Sequence, residues 1–164
     1  MSCSGNDALR HRIPRTSTLL SLDAPAGVGS RERVIKLSLA VVDAGALAAW
    51  CGLVGCGQEL HLSTAAAPHA IVADVLALVA DRNVGAPGAA LVDIFDLQRA
   101  PVTWFDDLPL AGEGLEWADE LDCSIATGLA VALARRENQP LLSFDPRLTQ
   151  VPDITFLRLP RSTR

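Results

Sequence analysis

Two aspartates directly follow runs of apolar residues that are typical of buried strands. Asp43 follows KLSLAVV, and Asp145 follows PLLSF. Ligands of open parallel sheets bind at the carboxyl ends of the strands, so carboxylates at these positions could meet in space. Paired carboxylates are hard oxygen ligands of the kind that Mg²⁺ prefers. A structural role is equally open, since Asp43 could cap the next helix and Asp145, which precedes a proline, could open a turn.

A third acidic candidate, Asp74, lies in a segment whose apolar residues recur with the period of a helix. Counting along the helix from Ile71 places Asp74 at the edge of the apolar stripe that contains Val75 and Val79. A carboxylate at that edge can face a cleft or reach into solvent, and the spacing alone favours solvent. Asp81 lies on nearly the same face and is expected to be solvated.

Strand-like and helix-like segments alternate around these acids. The patterns predict strands at VIKLSLAVVD, APVTWF, QPLLSFD and VPDITFLRLP, and helices at AGALAAWCGLV, PHAIVADVLALVADRN, GAPGAALVDIFDLQR and SIATGLAVALARREN. In the second helix, Pro68 is predicted in the first turn. GQELHLST suits a short strand or part of a helix, and DDLPLAGEGLEWADELD suits a polar connection with one helical turn. The alternation predicts an α/β fold, a three-layer α/β/α sandwich around a central, mostly parallel sheet.

Length and composition limit the other possibilities. A chain of 164 residues with 49% apolar residues is expected to form one domain, here residues 34–160, with a weakly ordered extension at 1–33 and a tail at 161–164. The net charge of −5 argues against a broad electrostatic grip on nucleic acid. No apolar run is long enough to span a membrane, and the start lacks the pattern of a signal peptide. The four cysteines form no disulfide or zinc pattern, so a cytoplasmic location is expected.

Four segments in order resemble the motifs of the PIN-domain nucleases, especially the VapC-type toxins of bacterial toxin–antitoxin pairs. VVDAGAL resembles the first motif and APHAIVADVLALV the second helix, where the family carries Glu and this chain has Asp74. CSIATGLAVALA resembles the third motif, and QPLLSFDPRL the final strand with its acid. The resemblance covers the whole predicted domain and implies a PIN-like fold.

The third motif departs from the family pattern. The family has an Asp at the start of this helix, and an alignment without gaps places Thr127 at that position. Sliding the motif to begin at Asp122 also gives a match, at the expense of extra residues before the last strand, and Asp119 is the next acid upstream. Ser143 is a further candidate, because in a regular strand it points to the same sheet face as Asp145.

The resemblance implies a divalent-metal-dependent endoribonuclease like the toxin of a toxin–antitoxin pair, with Mg²⁺ or Mn²⁺ held by Asp43, Asp74 and Asp145. It also implies an RNA substrate, a cognate antitoxin and a homodimer. Because Thr127 offers a neutral hydroxyl where a carboxylate is expected, the activity is expected to be weakened. The alternative is a catalytically inactive PIN-like domain that binds RNA or a protein partner.

Overall fold

The computed structural model describes residues 34–54 and 59–159. Within them, the strands are β1 (Val34–Val42), β2 (Glu59–Pro68), β3 (Val102–Phe105), β4 (Leu141–Ser143) and β5 (Phe156–Arg158). The α-helices are α1 (Ala44–Trp50), α2 (Ile71–Arg82), α3 (Pro87–Arg99), α4 (Ala111–Glu120) and α5 (Ile125–Glu137). Short 3₁₀ helices cover Leu108–Leu110 and Pro146–Gln150. The predicted extension and tail lie outside the described residues.

The five strands form one parallel sheet in the order β3-β2-β1-β4-β5. The chain moves outward from β1 to β3 in one direction, and then from β4 to β5 in the other. Because crossovers between parallel strands are right-handed, this reversal places helices on both faces of the sheet. The predicted three-layer α/β/α fold is therefore confirmed. The reversal also makes β1 and β4 neighbours, with Val41 paired to Leu141 and Val42 to Leu142.

The sheet centre is buried on both faces, as expected for a parallel sheet. Ala40, Val41 and Val42 of β1 are fully buried, as are Leu141 and Leu142 of β4. These aliphatic runs read directly from the sequence as strands. Their burial holds the strand ends, and hence the acids that follow them, in fixed positions.

Two local predictions were wrong. Pro68 is the last residue of β2 and not part of a helix, because α2 begins only at Ile71. DDLPLAGEGLEWADELD contains the ten-residue helix α4, although only one helical turn was predicted. The described part of the ambiguous GQELHLST, from Glu59 onward, forms the start of β2, which is one of the two predicted alternatives.

The contact between α4 and α5 depends on two glycines that let the helix backbones approach closely. A Cβ atom at Gly128 would overlap the backbone carbonyl oxygen of Gly114 and lie 2.9 Å from the backbone nitrogen of Ala118. A Cβ atom at Gly114 would lie 2.5 Å from the Leu129 side chain. This close approach explains why a segment with two glycines forms a helix, since packing outweighs the low helical propensity of glycine.

Gly128→Ala is accordingly expected to lower the free energy of unfolding by about 3 kcal/mol or more, because backbone atoms must move to admit the methyl group. Gly112→Ala is the matched control, since Gly112 lies in the same pair of helices and a Cβ atom there meets nothing within 4 Å. The control is expected to be neutral or to gain up to about 1 kcal/mol. Urea unfolding of both variants measures the difference, and equal midpoints would contradict the close-packing argument.

Within the described residues, the helices are all too short or too polar to cross a membrane.

Candidate functional site

Asp43 directly follows β1 and is the N-cap residue of α1. Its Oδ1 atom accepts a hydrogen bond of 2.7 Å from the backbone N–H of Ala46, the N-cap arrangement that the sequence left open as a structural role. Its Oδ2 atom accepts a hydrogen bond from the Ser143 hydroxyl. Asp43 is only 7% exposed, so both oxygens lie in a largely dry environment. One oxygen is therefore structural, while the other points to the neighbouring strand.

The charge of Asp43 is poorly compensated. Burial raises the pKa of the Asp43 carboxyl above its ordinary value, and the negative charge of Asp145 raises it further. Hydrogen bonds from Ser143 and from the N–H groups of Ala46 and Gly45 lower the pKa without offsetting the burial. A buried carboxylate that faces a second carboxylate is a place where a bound cation would be stabilising.

Ser143 connects Asp43 with Asp145. Its fully buried hydroxyl donates to Asp43 and accepts a hydrogen bond of 2.9 Å from the backbone N–H of Asp145. The chain positions of Asp43 and Ser143 differ by 100, and only the adjacency of β1 and β4 brings them together. The Ser143 hydroxyl therefore links the Asp43 carboxylate to the backbone of Asp145, while a shared metal role of the two carboxylates stays a prediction.

Arg147 pairs with Asp145 in a fork. Its Nε atom lies 3.0 Å from both carboxylate oxygens of Asp145, and its Nη2 atom lies 2.6 Å from Oδ2. The backbone N–H of Arg147 also donates to Asp145 Oδ1, so Asp145 opens the 3₁₀ turn that follows, as the structural alternative predicted. The third nitrogen, Nη1, donates to the backbone carbonyl oxygen of Asp122.

Asp74 belongs to a second group, built on the first turns of α2 and α5. Ser124 caps α5 by accepting a hydrogen bond of 3.1 Å from the backbone N–H of Thr127, and its hydroxyl donates to Asp74 Oδ2 at 2.9 Å. The Thr127 hydroxyl lies 3.1 Å from the Ser124 hydroxyl. Thr127 is therefore one hydroxyl away from Asp74, at the start of α5.

Both groups lie at the carboxyl edge of the sheet, the side formed by the carboxyl ends of the strands. α2 begins there because it follows β2, and α5 begins there because it runs antiparallel to the β4 strand that it precedes. Arg147 links the groups, since it contacts both Asp145 and the carbonyl of Asp122 beside the α5 cap. Asp122 itself lies in the turn between α4 and α5 with a positive φ of 48°. Asp119 is exposed on α4.

The carboxylate oxygens of Asp43 and Asp145 are donor atoms of the kind that a divalent cation prefers. Mg²⁺ in proteins commonly takes one or two carboxylates, keeps several waters and completes its shell with substrate phosphates. The buried, cation-poor carboxylate of Asp43 beside Asp145 fits this pattern. In the described part of the chain, no group of three or more His, Cys, Asp or Glu side chains is placed to hold a metal ion. The joint role predicted for Asp43, Asp74 and Asp145 stays a prediction.

Two residues of the site, Ser124 and Arg147, were given too little weight when only the sequence was considered. Ser124 directly precedes an apolar helical segment, and serine is a preferred N-cap residue, so its capping position could have been predicted. Nothing in the sequence indicated that Ser124 would also donate to Asp74. The two-residue spacing of Asp145 and Arg147 permitted an ion pair, whereas the second contact of Arg147, with Asp122, depends on the tertiary fold.

No protein-family model and no curated protein matches this chain. Among solved structures, it is similar to PAE2754 from Pyrobaculum aerophilum, with a TM-score of 0.50 and 17% sequence identity over 74% of this chain and 92% of that chain. At this identity, the likeness supports the three-layer α/β/α fold alone.

Proposed function

We propose that this protein is a divalent-metal-dependent endoribonuclease of the PIN type, whose activity is weakened by an incomplete acidic site. The observation that carries the proposal is the arrangement around Ser143, whose hydroxyl donates to the buried Asp43 carboxylate and accepts from the backbone N–H of Asp145, where two adjacent parallel strands end. The order of the four sequence motifs adds support. RNA as the substrate, an antitoxin-like protein as partner, self-association into a homodimer and a cytoplasmic location belong to the same proposal.

The role that we propose for each residue follows from its burial and its contacts. Asp43 and Asp145 would hold Mg²⁺ or Mn²⁺, which would supply an activated water and neutralise charge on the attacked phosphate. Ser143 orients both acids through its two hydrogen bonds. Asp74 stands further along the edge, where Ser124 holds one of its oxygens and the carboxylate can orient water. Thr127 adds only a hydroxyl, so the total negative charge that attracts a metal is lower than in a complete site.

Two observations favour the second candidate, an inactive PIN-like domain that binds RNA or a protein partner. Arg147 already neutralises Asp145, and Thr127 occupies the position where the resemblance expects a carboxylate. Under this alternative, the chain binds its partner without cleaving RNA, and adding Mn²⁺ changes neither its stability nor its binding.

A cleavage assay tests the leading proposal. Labelled single-stranded RNA is expected to be cut slowly by the purified protein with Mn²⁺ and left intact with a chelator. Asp145→Asn is expected to lower the rate by at least about 100-fold, because it removes a ligand charge. Asp81→Asn is the matched control, an exposed aspartate of α2 outside both groups, and should cleave like the unmodified chain. Chelator-resistant cleavage, or equal rates for both variants, would refute the proposal.

A further inference from the structure

Arg147 is the basic side chain that contacts the acidic pair at the carboxyl edge. Its guanidinium reaches both oxygens of Asp145 through Nε and Nη2, and Nη1 contacts the carbonyl of Asp122. Asp145 is mostly shielded, with 21% of its side chain exposed, whereas Arg147 is 47% exposed. The partner cation therefore sits on the solvent side of the acid, where it can leave without disturbing the core.

A divalent cation at Asp145 and the Arg147 fork would require the same oxygens. Both are positive, and a forked guanidinium engages the two carboxylate oxygens together. A metal ion and an arginine close to one carboxylate also repel each other. Binding of the metal thus requires Arg147 to give up its fork, and the lost contacts reduce the net affinity.

We propose that Arg147 is a built-in counter-cation that competes with the divalent metal for Asp145 and keeps the site closed until it is displaced. This inference rests on the proposed function and names a regulatory residue of that same site. When displaced, Arg147 remains tethered beside the edge by its short spacing from Asp145. Under the proposed function, an RNA phosphate bound at this edge would attract the guanidinium of Arg147 away from Asp145 and favour metal entry.

The test measures Mn²⁺ binding to the full-length protein by calorimetry, with Arg147→Gln as the main variant. Removing the competing charge is expected to tighten Mn²⁺ binding by about three- to tenfold. Arg147→Lys, which keeps the charge and loses the fork, is expected to fall between the two. The matched control is Arg135→Gln, because Arg135 forms a comparable exposed pair with Glu113, 2.9 Å apart, on the α4 and α5 surface. The control should leave the Mn²⁺ affinity nearly unchanged.

The salt dependence of Mn²⁺ binding distinguishes competition between Arg147 and the metal from a structural role of Arg147. Because exposed charges are screened, the advantage of Arg147→Gln should shrink between about 0.05 M and 0.5 M salt. If the role of Arg147 were only structural, Arg147→Gln would lower the thermal midpoint without increasing the affinity for Mn²⁺. Circular dichroism without metal checks that each variant is folded.

The outcomes distinguish the inference from the proposed function. If the unmodified chain binds Mn²⁺ and Arg147→Gln binds it equally or more weakly, the inference fails while the metal site stands. If only Arg147→Gln binds Mn²⁺, the inference holds, and the metal site of the unmodified chain is closed and inactive. If neither binds, both the inference and the metal-dependent function are overturned.

Discussion

Asp43→Asn is expected to abolish Mn²⁺ binding and RNA cleavage while raising thermal stability at neutral pH. Asparagine caps helices as well as aspartate does, so the hydrogen bond to the backbone N–H of Ala46 can be kept. The change removes a buried negative charge that faces Asp145. Loss of function with a gain in stability is typical of a group retained for chemistry. The amide nitrogen of asparagine cannot accept the hydrogen bond that Ser143 donates to Oδ2, so part of this gain is lost. The expected gain is therefore at most about 1 kcal/mol, or a few degrees in the thermal midpoint.

The stability gain should depend on pH in a defined direction. Because the folded-state pKa of Asp43 is raised, the folded protein binds a proton more readily than the unfolded chain. Below the unfolded value, about 3.9, the acid is protonated in both states and the variant has no advantage. The advantage grows as the pH rises through the folded-state pKa and is constant above it. Thermal melts across this range measure it, with Asp81→Asn, at an exposed aspartate of α2, as the control.

Metal should reverse the order of stability. At about 100 times its Kd, Mn²⁺ stabilises a protein by about 2.7 kcal/mol, provided that it binds only the folded state. The unmodified chain should gain this stabilisation, and Asp43→Asn should gain none. A variant that is less stable than the unmodified chain at neutral pH and still responds to Mn²⁺ would show that Asp43 is only a helix cap.

Thr127→Asp is expected to convert the weak site into a stronger one. Thr127 is the third residue of α5, where an acidic side chain is favoured by the helix dipole, so the substitution should be tolerated. The new carboxylate would stand beside Ser124 and Asp74 and add a hard anionic oxygen to the edge. We expect Mn²⁺ to bind about tenfold more tightly and RNA cleavage to rise with it.

Thr127→Asn is the matched control, because it changes the shape in the same way without adding charge. Its Mn²⁺ affinity and cleavage rate should stay at the level of the unmodified chain. Calorimetry and the cleavage assay, run side by side, give both readouts. Strong metal-dependent cleavage by the unmodified chain, unaltered by Thr127→Asp, would mean that the third acid lies elsewhere. Asp122 would then be the first residue to replace, followed by Asp119.

Much of the fold was readable because parallel strands are buried on both faces. The aliphatic runs of β1 and β4 and the apolar helix α5 have no other stable environment in water, so their identity follows from composition. The acids at the strand ends were readable for the same reason, since a charged residue directly after a buried aliphatic run indicates where the chain leaves the core. Even the two local roles of Asp43 and Asp145, cap and turn, follow from short-range geometry.

Helix α4 was not readable from its own residues. Gly112 and Gly114 lower its intrinsic helical propensity, and its stability comes from close packing against Gly128 of α5. The end of β2 at Pro68 was misjudged for a related reason. Proline suits a helix start when only local preferences are weighed, whereas pairing with Phe105 of β3 keeps it in the sheet.

The site itself was decided by tertiary structure. The sequence named Asp43 and Asp145 because each follows a strand, but the adjacency of β1 and β4 depends on a strand order that no local pattern encodes. The Ser143 bridge follows from that adjacency. The division of the acids into two groups, and the fork of Arg147 that links them, depend on where long side chains settle after the backbone is in place. The contacts of Ser124 with Asp74 and of Arg147 with Asp122 join residues that are far apart in the sequence, so only the folded chain determines them.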